Sequence, residues 1–211
     1  MKKLVIALAV IIVIGLLGFA AYKVFLAPKV PQAFIDSHNK IAGLDKEVEA
    51  LSDPKNVPDF EKMINDKNYN GAIKATDDTL ATENQALEKL KAINSELATL
   101  KSLSGEVTDA KTKEAVTKRI TLGEKENATK TKYFMIRIQM LEKMKEMIAR
   151  INKDEKLFTA ADEKAVNDMS KQIDEIKSQG DKAKSDLDAA QVQYKTAEKE
   201  FMEATGLSVA N

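Results

Sequence analysis

The sequence predicts an all-α protein: an N-terminal single transmembrane helix followed by an elongated antiparallel helical bundle, or coiled-coil hairpin. Three observations carry this. Leu4 to Tyr22 read LVIALAVIIVIGLLGFAAY, a run without a charge. As a helix it rises about 28 Å, close to the hydrocarbon thickness of a bilayer. The 211 residues hold only 8 glycines and 4 prolines, are 5% aromatic, and are dominated by Ala, Glu, Lys and Leu. That composition marks long helices. Finally, apolar residues after the first run recur three and four apart, the period of a helix with one buried face.

The expected organisation is an anchor over residues 1–27, a helical bundle over 28–206 and a frayed tail over 207–211. Long helices are expected at about 32–51, 71–103, 107–152 and 159–204. In the anchor, Leu4 opens the span, Tyr22 suits the interface and Lys23 snorkels to the headgroups. Lys2 and Lys3 precede the run and resist translocation, which leaves the N-terminus cytoplasmic and the bundle outside the cytoplasm. Lys23 and Lys29 on the far flank narrow that margin. The competing reading is a cleaved signal peptide, with Gly18-Phe19-Ala20 as the small-residue site. Its apolar core is longer than the usual 7–15 residues. The chain has no cysteine, which excludes a lipid-modified cysteine anchor.

Pro28 and Pro31 stop the anchor helix. Phe34, Ile41, Leu44, Val48 and Leu51 then form one stripe, with His38 beside it. Ser52-Asp53-Pro54 ends that helix, and Pro58-Asp59 starts a short one through about Asn65. The segment Asp66 to Ile73, with Leu80 following, resembles the inter-helix corner of a tetratricopeptide repeat. No second copy follows, and a single repeat cannot bury its own face. A plain helix-turn-helix corner is therefore expected.

In the next helix Ile73, Leu80, Leu87, Leu90, Ile93, Leu97, Leu100 and Leu103 give the apolar face, and Ser104-Gly105 is the stop. The third long helix has a weak point at Gly123 and Asn127, where a kink or short break is expected. Its second half carries Phe134, Ile138, Leu141, Ile148 and Ile151, flanked by Met135, Met140, Met144 and Met147. Methionine clusters mark either adaptable binding surfaces or, at this helical spacing, ordinary core.

Thr159 to Asp162 form a capping box with Asp in the usual Glu position. It opens the most regular element. Val166, Met169, Ile173, Ile176, Gly180, Ala183, Leu187, Ala190, Tyr194, Ala197, Phe201 and Ala204 alternate three and four apart, a coiled-coil seam. Its small residues imply that another helix approaches closely. Lys111 to Lys153 hold 12 basic and 5 acidic residues; Asp154 to Glu203 hold 8 and 13. Helices of opposite sign favour each other as neighbours. The alternative makes the basic helix a docking face for anionic lipid or cell-wall polymer.

The chain carries one histidine and a formal net charge of zero. No HExxH, CxxC or Cys/His dyad can exist, and no Gly-rich phosphate loop or GxSxG elbow occurs. No catalytic residue, metal ligand or cofactor is assigned, and nothing points to nucleic acid. In layout alone, a short anchor before a helical domain, the chain is similar to LemA-type bacterial membrane proteins, without a shared motif. The expected function is a non-enzymatic scaffold, spacer or interaction module of the cell envelope. Its partners are membrane lipid and another protein met through helix-helix contacts. The alternative is a ligand-binding sensory bundle signalling through a membrane partner, which needs a polar pocket near Gly123, Asn127 and Thr131.

Overall fold

A computed structural model describes residues 30–53, 55, 57–153 and 158–207. The anchor residues Leu4, Tyr22 and Lys23 lie outside these. Among the described residues there is no strand, and no helix is long and apolar enough to cross a membrane.

The described residues form five α-helices: α1 (Gln32–Leu51), α2 (Phe60–Asn65), α3 (Tyr69–Leu103), α4 (Ala110–Ile151) and α5 (Ala160–Thr205). Most starts follow from short polar caps, which satisfy backbone N–H groups that lack intrahelical partners. Asp59 accepts from the Lys62 amide at 2.9 Å, Asn68 from Gly71 at 3.2 Å, and Asp109 from Thr112 at 2.7 Å. The Asn68 cap starts α3 two residues earlier than apolar spacing suggests. Lys67, at φ 56°, makes the left-handed corner between α2 and α3. At Thr159 both halves of the capping box are present. Gly206 closes α5 at φ +73°, a conformation that suits glycine. Leu207 then packs against the core, and the rest of the expected frayed tail, residues 208–211, lies outside the described residues.

Chain order sets the topology, because short connections force antiparallel neighbours. Contacts step in opposite directions along each pair. Ser37 meets Glu96 and Lys89 meets Glu47; Lys101 meets Glu124 and Lys145 meets Asp77; Lys118 meets Glu200 and Arg150 meets Asp162. The ring closes where Phe34 of α1 faces Phe201 of α5, centroids 5.8 Å apart. The result is an up-down-up-down bundle with α2 packed on α3.

Its helices are unequal. As helices α1 spans about 30 Å and α5 about 69 Å. α1 ends level with Leu187, where Val48 and Leu187 line one cavity. The main apolar cluster, including Phe34, Leu90, Leu97, Val116 and Phe201, therefore sits in the four-helix half near the start of α1. The other half has only three long helices, and there Val166, Ile173, Ile176 and Gly180 are half-buried.

The expected break in the third long helix is absent: α4 runs unbroken through Gly123 and Asn127. Asn127 donates to the Leu90 carbonyl oxygen at 3.0 Å across the interface, so it does not compete with its own backbone. Gly123 is an approach point. A Cβ there would lie 3.1 Å from Leu97 Cδ2 and 3.2 Å from Tyr194 Cε2.

Ala183, Ala190 and Ala197 are at most 2% exposed. Ala190→Leu should therefore overpack the bundle and lower its stability by about 1–3 kcal/mol. At Gly180 an added Cβ would make an ordinary 3.6 Å contact with Ile136. Gly180→Ala should be neutral or stabilising by up to about 1 kcal/mol, because it restores helix propensity. Thermal melts of both variants decide the matter, and a raised melting temperature for Ala190→Leu overturns the first expectation.

Candidate functional site

The interior of the bundle carries charge, and α4 supplies most of it. Arg119 is 1% exposed, Lys130 6% and Glu126 8%. Such groups are tolerated inside only when paired and hydrogen-bonded.

Nearest the start of α1, Arg119 donates through Nε to the Glu198 carboxylate. Its Nη2 donates to the Tyr194 hydroxyl at 2.9 Å. The guanidinium carbon lies 5.0 Å from the Phe201 ring centroid and 5.6 Å from that of Tyr194. His38 of α1 completes the cluster, with Nε2 3.6 Å from Glu198 and its ring 5.3 Å from Phe201. His38 Nδ1 and Arg119 Nη1 find no hydrogen-bond partner. The sequence places His38 beside the stripe; the side chain is buried, with one nitrogen unmet. Burial and then the Arg119 charge push the His38 pKa down, against the opposing pull of Glu198. Burial likewise pushes the Tyr194 phenol up.

About three helical turns along α4, Lys130 Nζ reaches Asp45 of α1 at 2.6 Å and Glu126 at 3.2 Å. Burial opposes the ammonium, but the two carboxylates outweigh it and hold its pKa above the ordinary value. Burial raises Glu126, with Lys130 pulling the other way. Further on, Arg137 pairs with Glu83 of α3, which is 3% exposed and raised by burial. The positive face of α4 is thus divided among three neighbours rather than matched to α5 alone.

Between these clusters lies a small cavity lined by Asp45, Gly123, Glu126, Asn127, Lys130 and Tyr194 among others. Its volume is about 20 Å³. That holds roughly one water molecule. Thr131 is turned to its own helix, donating to the Asn127 carbonyl oxygen at 2.8 Å. Among the described residues no group of three or more side chains could hold a metal ion.

The twelve seam residues of α5 all point inward but to different degrees. Tyr194 and Phe201 belong to the charged cluster; Ala183, Leu187, Ala190, Ala197 and Ala204 are buried beside α4 or α1; Met169 is buried in the three-helix half. Met140, Met144 and Met147 are half-buried, whereas Met135 is 52% exposed. Arg119, Glu126 and Lys130 escape a count of apolar residues. The signal that finds them is the stripe itself: stepping back from Leu141 and Phe134 by threes and fours lands on Lys130, Glu126, Gly123 and Arg119.

Each pair closes at one register only. A slip of one heptad between α4 and α5 moves Arg119 about 10 Å from Glu198 and leaves the guanidinium without its counter-charge. The arrangement therefore specifies alignment.

The lowered His38 pKa has a sign that can be checked. The unfolded chain takes up a proton near pH 6.5, the folded chain only at lower pH, so stability falls as pH falls through that window. Relative to His38→Gln, the protein should lose stability between about pH 7 and about pH 5.5. Glu83 and Glu126, raised by burial, act in the opposite direction and are common to both proteins. A pH-independent difference in denaturant midpoint sinks the assignment.

No family model, curated protein or solved structure matches the chain.

Proposed function

We propose that the protein is a membrane-tethered, non-enzymatic helical bundle of the cell envelope that serves as a scaffold, spacer or protein-interaction module. The observation that carries this reading is the uncharged run from Leu4 to Tyr22, set directly before the bundle. The first described residues add support. Val30 is 6% exposed and Phe34 is buried, so the chain enters the bundle at the end shared by α1, the Ser104–Glu106 turn and the close of α5. That end faces the membrane, and the corner between α2 and α3 points away from it.

The sensory alternative needs a ligand pocket near Gly123, Asn127 and Thr131. Space for about one water supports the scaffold reading instead. Topology is the test. Protease added to intact spheroplasts should digest the chain from Pro31 onward; protection until lysis would place the bundle in the cytoplasm. Release of the chain by washing, without detergent, would remove the tether.

A further inference from the structure

We propose that His38 is an acid-sensitive latch: protonation of its imidazole releases α1, while α3, α4 and α5 stay packed on one another. The device is separate from the tethered-module reading and holds with or without an anchor.

The geometry lies at one seam. His38 and Arg119 stand against the same two groups, the Phe201 ring and the Glu198 carboxylate. Arg119 Nε engages one oxygen of that carboxylate, and His38 Nε2 lies 3.6 Å from the other. His38 Nδ1 and Arg119 Nη1 are both buried without a partner. A neutral ring that carries its proton on Nε2, toward Glu198, leaves only a lone pair unmet at Nδ1. Protonation adds an N–H there that has no acceptor. It also sets a second cation beside the guanidinium, with one carboxylate to serve both. Both costs vanish when α1 leaves, because water then reaches the two unmet nitrogens.

The surrounding charges come from every helix at this level. α4 supplies Arg119 and α5 supplies Glu198, the two charges that act on the ring. α3 brings Glu96, which Lys40 and Ser37 of α1 engage and hold below its ordinary value, so that tie is unchanged at mildly acid pH. On α1 itself Asp36 and Lys40 are exposed. Two turns along α1, Asp45 meets Lys130, whose other carboxylate, Glu126, is raised by burial. Glu126 takes up its proton in favour of the folded state as pH falls, so it opposes release.

α1 is the helix that this seam can shed. Its 20 residues are marginal as an isolated helix in water, so release also melts it. Its frame survives. Beyond the end of α1 the bundle already consists of three long helices, and the pairs Lys101–Glu124, Lys118–Glu200 and Arg119–Glu198 join those three without it.

Hydrogen exchange on the full chain tests this, with opening constants corrected for the intrinsic pH dependence of the amides. Between about pH 7.5 and about pH 5.5 the opening of α1, read at Ser37 to Val48, should rise several-fold. The rise is at most about tenfold, the limit set by a freed imidazole titrating near about 6.5. Those amides should stay less protected than Val116 to Leu141 and respond weakly to added urea, as a partial opening does. His38→Gln should abolish the rise. His38 is the chain's one histidine, so a single imidazole signal in NMR reports the same event and should titrate below about 6.5. A pH-independent α1, or a rise that survives in His38→Gln, overturns the proposal. So does a single exchange rate shared by α1 and α4, or an imidazole that titrates at or above about 6.5. These last two are read in the parent protein, so they decide even where His38→Gln fails to fold.

Discussion

Glu198→Ala should be among the most damaging single substitutions in the bundle, lowering stability by about 3–5 kcal/mol. It strands a guanidinium that is 1% exposed, since Arg119 is left with the Tyr194 hydroxyl and two aromatic faces but no counter-charge. Arg119→Met should be milder. Glu198 retains 24% side-chain exposure and can turn toward water, while methionine fills the apolar space between Tyr194 and Phe201. The double variant Arg119→Met with Glu198→Leu should recover most of what Glu198→Ala loses, because well-packed apolar side chains often replace a buried ion pair without loss. Urea midpoints of the three proteins measure this. Equal losses from the two single changes would mean that Arg119 finds water or another acceptor, and the asymmetry argued here would be wrong.

Much of the fold was legible because helical signals are local. The Thr159–Asp162 box marks the start of α5, Pro54 and Pro58 bracket the gap after α1, and Ser104-Gly105 marks the turn before α4. Helix lengths also carried information: twenty residues of α1 cannot cover forty-six of α5, so an uneven bundle follows from the sequence. The charged interior was hidden for a different reason. Arg119, Glu126 and Lys130 obey the period of the stripe but not its polarity, and the two cations are tolerated only because a distant carboxylate meets each of them. Glu198 and Asp45 are 79 and 85 positions away from their partners. Local pattern cannot supply such pairings. The same limit produced the expected break at Gly123. Glycine in mid-helix reads as a weak point until Leu97 and Tyr194 are seen to close on it.

Phe34→Ala should be comparably severe, and its effect should be confined to one helix at first. The ring is fully buried, faces Phe201 and belongs to the cluster that includes Leu97, Leu100 and Val107. Removing a buried phenylalanine typically costs about 3–5 kcal/mol, through lost transfer energy and the cavity left behind. α1 is also the shorter, outermost partner of the ring. It is held to α3 by Ser37 and Lys40 on Glu96 and by the exposed pair of Lys89 with Glu47. Its hold on α4 and α5 is the Phe34–Phe201 contact, the His38–Glu198 pair and the Asp45–Lys130 bridge. With Phe34 gone, α1 should open before the α4–α5 hairpin does. Hydrogen exchange should then show amides 34–48 losing protection while those of Val116 to Leu141 keep theirs. Simultaneous loss along all four long helices would instead make the bundle a single cooperative unit, with α1 integral to it. Since α1 is the first helix of the described residues, the outcome also decides whether a force applied at Val30 is felt by one helix or by the whole bundle.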